Sequence, residues 1–395
     1  SIELQAGNAA GAYDAIQACH RLAERLGDPH HLWLSTGLLV TRALLEGDVR
    51  AADALIDTSA EHGRRAFGPL ATETVLVQRL TLFAQEGRVD AAREMIDAAR
   101  RLQPLNPTFR AVHAYFLAEQ GDLYSSRSEL EALAANDFAA IGHDGYWLIA
   151  TTCLAFVFRS EIRDAAITEP VYTAIAEALY ARLLPHADET ITLGNGRACV
   201  GAVAWALGTL AAALERWDDA ERHYAATLRL HRAMGARPFL ARSLVDYAGV
   251  LRRRGHPADR NRLHLVLDEA ERLGRDLGMQ MVLALAALVR GDESGAGVAI
   301  PPPRGSTFRR DGELWTVTHG GALVHLKDAK GLHYLAHLLR HPGQEVHVLD
   351  LVAVATRRDD ADAKRYLKSA DAGAVLDRPA RAAYRARLAE LREEL

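Results

Sequence analysis

The sequence has few cysteines, few aromatic residues and no long apolar run, and these shortages exclude several classes of protein. Its 395 residues include only 3 cysteines, Cys19, Cys153 and Cys199, which lie far apart and form no CxxC pair. A disulfide-rich secreted domain is therefore excluded, and we expect reduced, buried thiols in a cytoplasmic protein. No apolar stretch reaches the roughly 18–20 residues that cross a bilayer, so we expect no membrane segment.

Motifs of common enzymes are also missing. The chain contains no GxxxxGK[ST] loop for phosphates, no HExxH metal motif, no nucleophile elbow and no kinase signature. Its 17 histidines show no spacing suited to zinc, and we interpret them as surface residues or as hydrogen-bonded core residues. We therefore predict no catalytic residues, no cofactor and no metal site, and a protein that is not an enzyme.

What the sequence does contain favours helices. Hydrophobic residues make up 49% of the chain but aromatic residues only 6%, and alanine, leucine and arginine are abundant. Charge is unevenly spread: residues 1–303 hold 31 Arg and Lys against 38 Asp and Glu, whereas residues 304–395 hold 16 against 13. A mildly basic tail behind an acidic first part fits a tail that contacts an anion.

A short pattern recurs along the first three quarters of the chain: a polar turn, often with glycine, then an apolar residue and two small residues. It occurs at 46–56 (EGDVRAADALI), 86–96 (EGRVDAAREMI), 120–130 (QGDLYSSRSEL), 160–166 (SEIRDAA), 215–224 (ERWDDAERHY) and 253–263 (RRGHPADRNRL). Spacings of 34 to 40 residues indicate helical hairpins, each with its second helix beginning at the apolar residue. A longer gap before Trp217 predicts an insertion, which we place in a polar loop at 185–197.

The clearest hairpin spans residues 207–234. Gly208, Ala220 and Tyr224 stand where a tetratricopeptide repeat has two small residues and an aromatic one. The small residues let two helices approach closely, and the aromatic ring fills the gap to the next pair. We therefore predict a mostly α fold in which residues 1–290 form a tetratricopeptide-like solenoid. Its concave face would bind a protein, a peptide or a small effector; the alternative is a spacer between other domains.

The helical pattern stops at 291–306 (GDESGAGVAIPPPRGS), a Pro- and Gly-rich linker. Residues 307–395 then predict a small α+β domain. Short antiparallel strands are expected over 306–326, followed by a helix from Asp328 to Arg340 that turns Leu332, Leu335, Leu338 and Leu339 inward. The order of strands, helix, HPG turn, short strand and further helices is that of a winged helix.

The last predicted helix (377–395) carries an apolar seam beside a basic stripe. The stripe comprises the candidate DNA-binding residues Arg378, Arg381, Arg385 and Arg392. An arginine stripe facing outward is what a groove-reading helix needs. Docking on a partner, or homodimerisation through this helix, is the alternative, because three glutamates near its end oppose deep insertion into DNA.

Two stretches resemble a known family. Residues 183–255, which include LGTLAAALERWDDAERHYAATL, look like the repeat region of large actinobacterial regulators. Residues 308–352 (beginning FRRDGELWTVTHGGALVHL) and 371–395 resemble a C-terminal domain of the same proteins. These are STAND or LuxR (MalT-like) regulators, in which an ATPase or adenylate-cyclase-like module is joined to tetratricopeptide repeats. The resemblance implies that the solenoid senses an effector or a partner.

We thus expect a non-enzymatic regulatory fragment of a transcriptional regulator. Its repeats would bind an effector or partner, and its C-terminal domain would bind DNA or dock. The alternative is a pure protein–protein interaction scaffold with an assembly domain at its end. Because the chain opens on Ser1 and stops at Leu395 within a helical pattern, we also expect that it belongs to a longer protein.

Overall fold

The computed structural model describes residues 9–67, 72–159, 169–193, 196–291, 307–311, 314–319, 322–327 and 329–340. These residues are mostly helical, as predicted. The chain divides into two compact units, Ser1–Gly305 and Ser306–Leu395. Most of the predicted hairpin at 160–166 and the whole arginine-bearing helix lie outside the described residues.

The first unit is an array of helices joined by short turns. Its helices are α1 (Ala9–Leu26), α2 (Pro29–Glu46), α3 (Val49–Phe67), α4 (Thr72–Glu86), α5 (Val89–Leu102), α6 (Pro107–Glu119), α7 (Leu123–Phe138, non-helical from Ala135), α8 (Trp147–Val157), α9 (Pro170–Leu183), α10 (Val203–Ala213), α11 (Trp217–Ala233), α12 (Arg237–Arg254), α13 (Arg260–Leu277) and α14 (Gln280–Arg290). Two 3-10 turns lie at Leu184–His186 and Pro257–Asp259, and a strand pair at β1 (Thr190–Leu193) and β2 (Ala198–Ala202).

Four of the predicted starts of second helices are confirmed, whereas in the copy at 253–263 a 3-10 turn begins at Pro257 and the helix begins only at Arg260. Helices α3, α5, α7 and α11 begin at the apolar residue of the recurring pattern, at Val49, Val89, Leu123 and Trp217. The turn before each start contains a residue in the left-handed region, which is Gly47, Gly87 and Gly121 in the first three and Glu215 in the fourth. A left-handed residue lets the chain reverse direction between two helices, and glycine adopts it without steric cost.

The close approach predicted for residues 207–234 is present. A methyl group added to Gly208 of α10 would lie 2.8 Å from Cδ2 of the Tyr224 ring in α11. Tyr224 is fully buried and stacks on Tyr247 of α12, with ring centroids 5.2 Å apart. A small residue on one helix therefore accommodates the aromatic ring of its partner, and that ring continues into the next helix pair.

The spacing of apolar residues in the first helix predicts a buried face of Ile16, Cys19, Leu22 and Leu26, and this prediction is partly wrong. Ile16 is buried, but Leu22 and Leu26 are 50% and 59% exposed and Cys19 is exposed as well. The buried side of α1 is instead Ala12, Ile16 and Ala23. The buried face is therefore rotated from the leucines towards the alanines.

The second unit begins with an antiparallel three-stranded sheet, as predicted: β3 (Thr307–Asp311), β4 (Leu314–His319) and β5 (Ala322–Lys327), in the order β3-β4-β5. Helix α15 (Lys330–Arg340) follows. The prediction that the leucines of this helix point inward is wrong for three of them, since Leu335, Leu338 and Leu339 are exposed. Ala336 is the buried residue of this helix. The core of this unit is Trp315, 3% exposed, which contacts the rings of Phe308 and His333.

Candidate functional site

The two ends of the helical array contact each other. The Tyr13 hydroxyl in α1 donates a hydrogen bond to the Met234 carbonyl, 3.1 Å away, at the end of α11. Gly47, after α2, faces Leu277 and Pro238, from α13 and α12. We call these contacts the closure. Because the first two helices meet α12, α13 and the end of α11, the interior of the array is a bounded space.

The first helices of successive pairs surround that space. We call α2, α4, α6, α8, α10, α12 and α14 the inner helices. They contact one another or the β1–β2 hairpin, and α2 also contacts α12 across the closure.

The insertion predicted as a polar loop at 185–197 is exposed or half-buried over 185–189, as a loop would be, but its second half enters a buried hairpin. Strands β1 and β2 pair antiparallel, and most of their residues are buried. At the hairpin's tip, the Arg197 guanidinium lies 3.9 Å from the centre of the Trp33 ring in α2. The Gln78 amide of α4 donates to the carbonyls of Arg197 and Gly37, at 2.5 and 3.2 Å. The hairpin therefore fills part of the inner face that the sequence offered as a groove.

A buried imidazole anchors the end of the hairpin. The Ala202 amide donates to His231 Nε2 at 3.1 Å, and His231 Nδ1 lies 3.2 Å from the Ser243 hydroxyl. That hydroxyl donates in turn to the Leu240 carbonyl. This chain of bonds suits a neutral imidazole that donates from Nδ1. Burial lowers the pKa of His231 to about 3, so the imidazole is neutral at physiological pH.

A cavity of about 130 Å³ lies between the inner helices. Its walls come from α4, α6, α8, α10, α12 and α14, with Val200 of β2, so both ends of the array contribute. Most of the wall is apolar, as the following examples illustrate: Val77, Val112, Ile149, Phe156, Phe239 and Met281. Apolar walls around a bounded space with a few polar groups are the usual features of a small-molecule site.

Four charged side chains form a compact cluster at one side of the cavity. Arg159 and Arg242 line it, and Glu119 and Asp246 pair with them. Arg242 Nη2 donates to both oxygens of Glu119, at 2.8 and 2.9 Å. Arg159 Nε lies 2.9 Å from Asp246 Oδ2, which also accepts from the Trp205 indole at 3.0 Å. Helices α6, α10 and α12 are thereby joined to Arg159, which follows α8 by two residues, and the formal charges of the four side chains sum to zero.

The cluster is buried, and its opposite charges are paired with one another. The side chains of Arg159, Glu119 and Asp246 are 3–7% exposed and that of Arg242 is 12% exposed. Burial alone would lower the pKa of Arg242, but Glu119 and Asp246 raise it above its ordinary value. Arg159 also lies 3.6 Å from the Phe156 ring centre and 4.3 Å from that of Trp205. Aromatic faces stabilise a desolvated guanidinium, so the cluster and the aromatic wall support each other.

Two side-chain oxygens of cavity-lining residues have no hydrogen-bond partner within the described part of the chain. They are Gln85 Oε1 and Thr152 Oγ1, from residues that are 8% and 1% exposed. The amide nitrogen of Gln85 donates to the Leu44 carbonyl at 3.0 Å, which fixes the other amide atom as an acceptor. Buried polar atoms are usually paired. Two unpaired oxygens from residues that line the same cavity are therefore a feature of this site.

Sequence reasoning did not find this cluster. The position of Trp205 within a helical repeat predicts a core residue, and it is buried, but it also lines the cavity. The signal for Asp246 was a carboxylate inside the apolar run SLVDYAGVL. Charged residues in such runs are seldom buried unless paired. Their partners could not be inferred, because Glu119 and Arg242 are distant in the chain.

The residues predicted to bind DNA, Arg378, Arg381, Arg385 and Arg392, lie outside the described residues, so their prediction stays as it was. Within the described ranges, no group of three or more His, Cys, Asp or Glu side chains is arranged to hold a metal ion. Of the cysteines predicted to be buried, Cys199 is buried and Cys153 is half-buried on the cavity wall, whereas Cys19 is exposed. No helix in the part of the chain described has the length and apolarity to cross a membrane.

In comparisons with known proteins, no family model, no curated protein and no solved structure matches this chain.

Proposed function

We propose that the helical array is the sensor part of a signal-transducing regulator, and that a small effector binds in the cavity between the inner helices. This proposal rests on the position of the cavity, whose walls come from helices near both ends of the array, on the two sides of the closure. Val77 and Gln85 of α4 line one side, whereas Pro238 of α12 and Met281 of α14 line another. A compound in this space would contact helices from both ends of the array.

Contact with both ends explains how binding could be transmitted. A ligand shifts a conformational equilibrium only by its difference in affinity for the two states. A closed array offers the effector a complete wall, whereas an array with separated ends offers only part of it. Binding therefore favours the closed form, and the position of the array's ends carries the signal.

The β1–β2 hairpin favours a small molecule over an extended peptide. In a tetratricopeptide-like solenoid, which we propose for this array, the inner face is a binding surface. Here part of that surface is covered by the chain's own hairpin, held by Gln78 at one end and by His231 at the other. What remains is the cavity of about 130 Å³. An engineered apolar cavity of about 150 Å³ in another protein binds benzene, which sets the scale of a fitting compound.

The C-terminal unit completes the proposed regulator as a winged-helix-like domain that binds DNA through Arg378, Arg381, Arg385 and Arg392, or docks on a partner. Support for this part comes from the sequence pattern and from the described sheet followed by α15. A scaffold without an effector is the competing function. The family resemblance favours a regulator over a scaffold, because in the proteins that this chain resembles the repeats are joined to signalling modules.

Methionine methyl groups provide a direct test of the effector site. The chain has 4 methionines. Met279 and Met281 line the cavity, whereas Met95 and Met234 do not. In the intact chain labelled with 13C-methyl methionine, titration with a library of small ring compounds should shift the Met279 and Met281 signals. Each signal is assigned by a Met→Leu variant. Shifts confined to Met95 and Met234, or no shift with any compound, would contradict the proposal.

A further inference from the structure

We infer that the cavity selects small, neutral ring compounds carrying one N–H or O–H donor, and that Gln85 is the residue that recognises the donor. This inference rests on the proposed function of the same cavity. It goes further by naming the chemical class of the ligand and the protein atom that accepts its hydrogen bond. The geometry points to this class through one fixed acceptor, a balanced set of charges and an aromatic wall.

The fixed acceptor is Gln85 Oε1. The Gln85 side chain is held by its own amide nitrogen, which donates across to the Leu44 carbonyl of α2. Its oxygen accepts no hydrogen bond from the described residues, although Gln85 is 92% buried and lines the cavity. An acceptor held in one orientation before binding loses little entropy when a ligand donor arrives. This oxygen is already shielded from solvent and unpaired in the unliganded chain, so a ligand N–H or O–H that pairs with it strengthens binding, whereas a ligand without a donor gains nothing at this atom.

Thr152 adds a second, more tolerant polar group. Its hydroxyl oxygen is buried on the α8 wall and has no partner among the described residues. The adjacent Thr151 hydroxyl differs, because it donates to the Trp147 carbonyl at 2.8 Å and does not line the cavity. A hydroxyl both donates and accepts. Thr152 can therefore pair with either a donor or an acceptor on the ligand. Gln85 Oε1 can pair only with a donor, so Gln85 is the residue that makes the site prefer a ligand with a donor.

Charge balance favours a neutral ligand. Arg159 and Arg242 face the cavity, but each already contacts the carboxylates of Glu119 and Asp246, and the four charges sum to zero. The other titratable wall groups stay neutral, since burial raises the pKa of Tyr115 and of Cys153 to about 12. An anionic ligand would add an uncompensated charge to this buried space, and burying an unpaired charge is strongly unfavourable.

The walls favour a flat ring. Aromatic side chains reach the cavity from four inner helices, as Tyr115 and Phe116 (α6), Phe156 (α8), Trp205 (α10) and Phe239 (α12). Aromatic pairs in offset or edge-to-face contact are more favourable than their buried area alone accounts for. Together with the small volume, this excludes long flexible chains and favours one or two fused rings.

The experiment compares three probes of similar shape: indole, benzofuran and indole-3-carboxylate. Indole carries the N–H donor, benzofuran replaces it with an oxygen, and the carboxylate adds a negative charge. Dissociation constants are read from the Met279 and Met281 methyl shifts in the intact chain. We expect indole to bind about tenfold more tightly than benzofuran, the gain from pairing one buried acceptor, and indole-3-carboxylate to bind more weakly than both.

Matched variants assign the preference to Gln85. Gln85→Leu should reduce the indole-to-benzofuran ratio to about one. Gln120→Leu should leave it unchanged, because Gln120 is also a buried glutamine but neither lines the cavity nor contacts the β1–β2 hairpin. The ratio is measured within each variant, so a general loss of stability does not change it.

The outcomes separate this inference from the proposed function. If benzofuran binds as tightly as indole, or if Gln85→Leu keeps the ratio, the inference is wrong while the effector site stands. If only indole-3-carboxylate shifts Met279 and Met281, the site is real but takes anions, and the inference is again wrong. If none of the probes or library compounds shifts these methyls, the proposed function itself fails.

Discussion

Gly47, in the turn after α2, faces Leu277 at the end of α13. A methyl group on Gly47 would lie 2.7 Å from Leu277 Cδ2 and 3.0 Å from Pro238 Cγ. Gly47 also has a φ of +82°, which an L side chain rarely adopts. One glycine thus serves two purposes: it reverses the chain between α2 and α3, and it leaves room for the opposite end of the array.

A pair of glycine variants separates these two purposes. Gly27 ends α1 with a φ of +64° and has no atom within 4 Å of an added methyl group. Gly27→Ala should therefore cost only the left-handed strain, about 1 kcal/mol. Gly47→Ala should lower the free energy of unfolding by about 1–2 kcal/mol more, because it also presses on Pro238. Urea denaturation of both variants measures the difference, and equal losses would show that the closure is not tightly packed.

Removing one carboxylate from the charged cluster should destabilise the protein strongly. Glu119→Gln leaves two buried guanidiniums with only Asp246, and we expect a loss of about 3 kcal/mol in the free energy of unfolding. The control is Glu61→Gln, which breaks exposed ion pairs with Arg64 and Arg65 and should change the free energy of unfolding very little, because solvent screens such pairs. Chemical denaturation at pH 7 compares them, and a small loss for Glu119→Gln would mean that the cluster does not join the helices.

Stability should fall in mild acid because of His231. Its pKa is about 3 in the folded chain but about 6.5 when unfolded. Below about pH 6.5 the unfolded state therefore binds a proton that the folded state does not. This one group should lower the free energy of unfolding by about 1.4 kcal/mol per pH unit down to about pH 3.

The acid effect is tested by urea denaturation between pH 7.5 and 5. His231→Gln should be less sensitive to pH than the unchanged chain. Some sensitivity should remain, since burial also lowers the pKa of His113 and His223. His264→Gln, on the exposed side of α13, is the control. The same pH dependence in His231→Gln and His264→Gln would show that the buried imidazole is not responsible.

DNA binding by the C-terminal domain should depend on salt and on its arginine stripe. In fluorescence anisotropy with random duplex DNA, affinity of the intact chain should fall as salt rises, because phosphate contacts release counterions. Arg381→Ala combined with Arg385→Ala should reduce the slope of log affinity against log salt by about 2. Arg50→Ala combined with Arg260→Ala, two exposed positions of the helical array, should not change it. No binding at low salt would favour protein docking instead.

Helix boundaries were predictable because their causes are local. The starts at Val49, Val89, Leu123 and Trp217 follow from a turn residue and the apolar residue close behind it. The strands at 307–327 were predictable for the same reason, since alternation and turn residues are properties of neighbours in the chain. The contact of Gly208 with Tyr224 also lies within one hairpin and followed from the spacing of small and aromatic residues.

Errors arose where burial depends on a distant partner. The leucines Leu22 and Leu335 lie on apolar helix faces, yet both are exposed, whereas Ala23 and Ala336 of the same helices are buried. The stretch at 185–197 is polar and contains glycine, which favours a surface loop. Its second half instead belongs to the buried hairpin, where Trp33 and Gln78 contact Arg197.

The starts of helices and strands follow from the sequence alone, because turn geometry and side-chain periodicity act over a few residues. The closure of the array, the position of the hairpin on its inner face and the pairing of Arg242 with Glu119 depend on the three-dimensional fold. These contacts join residues far apart in the chain, and their energy depends on how the stacked helices curve. The candidate site is made entirely of such contacts: no single segment contains both Gln85 and Arg242, and the cavity exists only once both ends of the array are in place.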